Sequence, residues 1–60
     1  MALGDHVMMK KEYKTKFPNV STFSILKVEK IDENKATVVF MNDKDIYHET
    51  VPVNALFKVG

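Results

Sequence analysis

Residues 22–51, TFSILKVEKIDENKATVVFMNDKDIYHETV, decide the fold. Three runs rich in β-branched and aromatic residues are separated by two short polar clusters, Asp32-Glu33-Asn34-Lys35 and Asn42-Asp43-Lys44. Apolar residues recur at a spacing of two, as in Val38 and Phe40, and helical periodicity is poor throughout. That pattern, with turn-forming residues between the runs, specifies antiparallel strands joined by hairpins. Strands are expected over about Thr22–Ile31, Ala36–Met41 and Asp45–Val51. Asn34 tolerates positive φ and marks the first turn as tight. In the first run Phe23 and Ile25 share one face, whereas Leu26 and Val28 share the other. A bulge or strong bend at Ile25-Leu26 accommodates this slip and lets one strand serve both halves of a small barrel.

Upstream, Gly4 leads into a short strand over Asp5–Met9, and Lys10 to Ser21 forms a long connection. Pro18 pushes Phe17 into an extended conformation and blocks a central ladder position. Part of this connection, around Tyr13–Phe17, is a candidate for extended chain at an edge. Downstream, Pro52 cannot donate a ladder bond and ends the third run. Val53-Asn54-Ala55-Leu56 is too short for an α-helix and suits a 3-10 turn. Phe57–Val59 then forms a brief last strand. The ensemble is all-β: a small five-stranded SH3-like barrel with a long first loop and a 3-10 turn before the last strand. Closure removes the free edges that a small β protein otherwise has to manage. The expected core is Val7, Met9, Phe23, Ile25, Val28, Val38, Phe40, Val51 and Leu56.

Sixty residues make a single domain. A chain this short buries only about 60% of its unfolded surface, so its stability is marginal. There is no cysteine to supply a disulfide or a thiolate ligand, and two histidines are too few for most zinc sites. Apolar residues make up 45% of the chain, which places it among globular proteins. No signal-peptide pattern and no membrane-length apolar run are visible, and a cytoplasmic location is expected. All nine basic residues are lysine. Arginine is the usual bidentate reader of guanine edges, so its absence weighs against sequence-specific DNA readout.

The segments GDHVMMK (4–10), FSILKVEKIDENKATVVFMND (23–43) and ETVPVNALFKV (49–59) together resemble the YodC-like family of small bacterial proteins. The family pattern is a Gly-Asp-x-Val opening, a central hairpin ending in an aromatic, and a Phe-Pro-x-x-x-Leu close. The matching positions are Gly4, Asp5, Val7, Phe40, Val51, Pro52 and Leu56. A Gly-Gly-Pro after the first strand is replaced by the longer Lys10–Val20 segment. The family's tryptophan beside the central aromatic is absent, Val39 preceding Phe40. The resemblance implies an SH3-like barrel and implies little about activity, because fold does not dictate function. An accessory protein of a bacterium or its phage fits this size.

No catalytic constellation is recognisable. Ser21 and Ser24 have no motif partner for nucleophilic catalysis. His6 facing His48 across the barrel, with Glu49 nearby, is the one metal arrangement to weigh, but His48 and Glu49 point to opposite faces of a strand. The acidic pairs in the hairpins fit turn chemistry. No cofactor, metal or small-molecule substrate is expected. The segment from Lys10 to Phe17 carries Lys10, Lys11, Lys14 and Lys16 against Glu12, with Tyr13 and Phe17 interleaved. Lysines that track phosphates beside aromatics that stack on bases are the parts of a single-strand groove. The alternative is a solvated loop folding its aromatics over one end of the core. Residues 1–29 carry five lysines and three acids, and residues 30–60 four lysines and five acids, well short of a strongly basic face. An outward Met8 beside Tyr47 or Met41 would make an apolar patch of the kind that marks interfaces.

The expected function is a non-enzymatic binding module that mediates protein–protein association, with self-association as a homodimer included. The partner-binding candidates are Met8, Lys10, Lys11, Tyr13, Lys14, Lys16 and Tyr47. The alternative is sequence-independent nucleic-acid binding through the lysine-rich first loop.

Overall fold

The computed structural model describes residues 1–59. Its elements are β1 (His6–Met9), a 3-10 turn (Lys11–Tyr13), β2 (Leu26–Asp32), β3 (Lys35–Asn42), β4 (Asp45–Pro52), a second 3-10 turn (Val53–Ala55) and β5 (Leu56–Lys58). All five strands lie in one sheet of order β4-β3-β2-β1-β5, and every pairing is antiparallel. The fold is all-β, as the period-two pattern requires. Among the described residues no helix is long and apolar enough to cross a membrane.

No ladder joins β4 to β5 among the described residues, so the expected closure of the sheet into a barrel is not observed. The sheet is nevertheless tightly curled. Its two edges, β4 and β5, are connected by Val53–Ala55 alone. In a flat sheet they would stand four strand spacings apart, about 19 Å, whereas the chain from Pro52 to Leu56 spans at most about 14 Å. The curl at this end is held by backbone hydrogen bonds from Val53 N–H to Asn34 O and from Lys10 N–H to Ala55 O, each 2.8 Å. Overall dimensions of 29 × 23 × 21 Å agree with a sheet wrapped around its own core.

The Gly-Asp opening is used structurally. Gly4 has φ +84°, which favours glycine. Its N–H donates to Val28 O at 2.8 Å, and Val28 N–H donates to Asp5 O at 2.9 Å. The central turns are two residues long, Asn42 pairing with Asp45 and Asp32 with Lys35. Positive φ falls on Glu33 (57°) and Asp43 (59°), the first residue of each turn, rather than on Asn34.

The core comprises Val7, Met9, Val20, Leu26, Val28, Ala36, Val38, Phe40, Val51, Ala55 and Leu56. Two expected members are on the outside: Phe23 is 81% exposed and Ile25 62%. The cause is the extent of β2, which starts at Leu26 rather than Thr22. The bulge also lies further on, between Val28 and Lys30. Leu26 and Val28 face inward because they sit opposite Val7 and Val38. Residues of the opposite parity are then left outside. Val20 takes the vacated interior position, fully buried at the end of the first loop.

Candidate functional site

The first loop is a series of turns folded onto the core. Tyr13 N–H donates to Lys10 O, Phe17 N–H to Tyr13 O and Val20 N–H to Phe17 O, each 3.1 Å. Tyr13 and Phe17 pack against the core, part-buried, and the region around Tyr13 forms a 3-10 turn instead of extended edge chain. The Lys14 ammonium donates to Pro18 O at 2.7 Å and to Val20 O at 3.0 Å, tying the loop across itself. Lys16 Nζ lies 5.7 Å from the centre of the Tyr13 ring. Three of the candidate side chains are thus occupied inside the loop, Tyr13, Lys14 and Lys16, whereas at Lys10 the bond is made by the backbone N–H, to Ala55 O. Lys11 is exposed. These residues do not form an open track of cations alternating with free aromatic faces.

Between this loop and the end of β3 lies a shallow groove of about 440 Å³, lined in part by Lys14, Asn19, Ser24, Phe40 and Asn42. Tyr47 borders a smaller hollow next to it and stacks on Phe40 with ring centres 5.9 Å apart. Pairing with Phe40 places Tyr47 on the inner side of the sheet. Met8 lies on the outer side, opposite Phe57. Met8 and Tyr47 are therefore on different faces and do not make one patch.

The outer face carries a different apolar group. Met41 on β3 is paired with Ile46 on β4, and the two are 68% and 62% exposed. Continuing the β2–β3 register two residues beyond Lys27↔Val39 sets Ile25 opposite Met41, and continuing β1–β2 by one sets Met8 opposite Ile25. The observed outer pairs are Met8–Phe57 and Met41–Ile46, and Ile25, just outside β2, falls in line between them on that continued register. The most exposed part of this row is Ile25–Met41–Ile46, on the flank of β2 and on β3 and β4. Of these residues, only Met41 was legible beforehand as part of an outward patch. Ile25 was assigned to the core, and Ile46 shows its role only once the hairpin register is known.

Beside this row, in register, stand Lys27, Val39 and His48. The bulge turns Glu29 outward, and its Oε2 lies 2.6 Å from His48 Nδ1 with both side chains about half exposed. Thr37 and Thr50 share a hydroxyl hydrogen bond of 2.9 Å one row further on. His6 and His48 lie in one row but are separated by Lys27 and Val39, three strand spacings or about 14 Å apart. That distance is too great for a shared metal ion, and the acid beside His48 is Glu29 rather than Glu49. No group of three or more potential ligands is found among the described residues. No protein-family model, curated protein or solved structure matches the chain.

Proposed function

We propose that the chain is a non-enzymatic binding module that associates with protein through the outer face of β2, β3 and β4. The observation that carries this reading is the exposure of Ile25, Met41 and Ile46, each more than 60%, on the face that also carries the half-buried Val39 and is bordered by Lys27, Glu29, His48, Thr37 and Thr50. Exposed apolar groups standing singly need no explanation, whereas a contiguous row rimmed by polar residues is the composition of an interface. The resemblance to YodC-like proteins fits such a scaffold and adds no activity to it. Binding of nucleic acid through the first loop is the weaker reading, since Lys14 and Lys16 are turned to the loop itself.

Retention experiments with immobilised wild type and a Met41→Lys, Ile46→Lys variant test this. Protein retained by the wild type and released by the variant is the expected result. Retention that is indifferent to these substitutions, or salt-sensitive binding of oligonucleotides lost on Lys11→Glu, would falsify the reading.

A further inference from the structure

We infer that the occupant of this face is a second copy of the chain, stacked sheet on sheet about a two-fold axis running along β3. The inference rests on the binding-module reading and names its partner. Size is the first argument. Three strands about 4.8 Å apart and about eight residues long at 3.4 Å per residue outline a face of roughly 400 Å² in projection. Side chains as exposed as Met41, Ile46 and Ile25 stand well off that plane. Specific interfaces start at about 600 Å² per partner, so a contact over this curled face lies at the weak, reversible end of that range.

Charge is the second argument. An axis along β3 exchanges β2 of one copy with β4 of the other, so each row meets itself reversed. Ile25 meets Ile46 of the other copy, and Met41 meets its own equivalent. In the neighbouring row Lys27 comes over the other copy's His48, to whose ring Glu29 is bonded. Each lysine thus gains a carboxylate across the interface, twice by symmetry. With a net charge of only +1, the chain offers little self-repulsion against such a contact. Isologous contacts of this kind close on themselves and form no fibre.

Edge pairing is the competing arrangement of two copies. β4 is the long free edge, eight residues against three in β5. Joining two β4 edges satisfies backbone groups but leaves Ile25, Met41 and Ile46 in water. Stacking covers them, which is why the geometry favours it.

Sedimentation equilibrium from micromolar to millimolar protein tests the inference. The expected result is a reversible rise from 6.9 kDa to twice that mass. Met41→Lys with Ile46→Lys abolishes the rise while far-ultraviolet CD is retained. If that variant does not fold, Ile25→Lys, outside any strand, serves the same purpose. Lys27→Glu weakens the dimer by roughly tenfold or more, the scale of one interfacial charge pair, and Lys27→Glu with Glu29→Lys restores it. Isotope-filtered NOEs from Ile25 to Ile46 identify stacking, since within one copy these side chains are two strands apart. A monomer at millimolar concentration overturns the inference, as does a dimer unaffected by all three apolar substitutions. Dimer-dependent amide protection confined to β4 marks edge pairing and overturns it too. A monomer that still retains a different protein, released by Met41→Lys, sinks the second copy and leaves the binding module standing. A monomer that retains none sinks both.

Discussion

Glu33 sits at φ 57° although glycine and asparagine are the residues that adopt this conformation cheaply. A Cβ in the left-handed region costs about 1 kcal/mol, part of which glycine returns as unfolded-state entropy. Glu33→Gly is therefore expected to stabilise the chain by roughly 0.5 kcal/mol, raising Tm by about 2–4 °C in a domain of this size. Thermal unfolding of the variant, with a fall in Tm as the contrary result, decides it. Lys14 presents the opposite case. Its ammonium bonds two carbonyls of the first loop. Charge-assisted hydrogen bonds are worth more than neutral ones, but this group is exposed, and Lys14→Met is expected to cost roughly 1 kcal/mol. Faster amide exchange at Val20 than in β3 would accompany that loss. Within a single copy the His48 and Glu29 side chains are about half exposed, so at dilute, monomeric protein His48→Ala should change the urea midpoint by the equivalent of less than about 0.5 kcal/mol.

At the scale of elements, the hairpins were legible and the first loop was not. β3 alternates strictly, Ala36, Val38 and Phe40 buried against Thr37 and Val39 half-buried, and the sequence shows that period directly. The two turns are announced by Asp, Asn and Lys clusters of the right length. The stretch Thr22–Leu26 is different, because it holds two apolar sets of opposite parity. Parity says which residues share a face but not which face is inside. That choice is made by Val7 and Val38, the cross-strand partners of Leu26 and Val28, which are remote in sequence. For the same reason the outer row could not be assembled beforehand: it needs four registers at once. Val20 was hidden by its position after a proline in a polar loop, where no periodicity exists to reveal burial. The contrast gives a test. Val20→Ala should cost roughly 2 kcal/mol, from two lost methyl groups and the cavity they leave. Phe23→Ser, at a residue 81% exposed, should cost less than about 0.5 kcal/mol. Urea unfolding of the two variants that ranked them the other way would mean that Phe23, not Val20, fills the core.

At the scale of the whole molecule, the curl and the exposed row have one origin. Three residues between β4 and β5 force the sheet to wrap, and one interior of eleven residues is then all that it can enclose. Beyond these and the part-buried Tyr13, Phe17, Ile31 and Val53 packed against them, apolar side chains such as Met41 and Ile46 are left on the outside. A domain of about sixty residues draws limited stability from such a core, and the proposed association of the outer row would add to it by mass action. Stability should therefore depend on protein concentration. For a dimer that dissociates on unfolding, each tenfold rise in concentration above the dissociation constant stabilises the folded chain by about 0.7 kcal/mol per copy, half of the 1.4 kcal/mol carried by a tenfold change. The urea midpoint of the wild type is expected to climb as protein is raised toward millimolar. That of Met41→Lys with Ile46→Lys should stay constant and match the dilute wild type. If the wild-type midpoint were flat over that range, the outer row would contribute nothing to the stability of the folded chain.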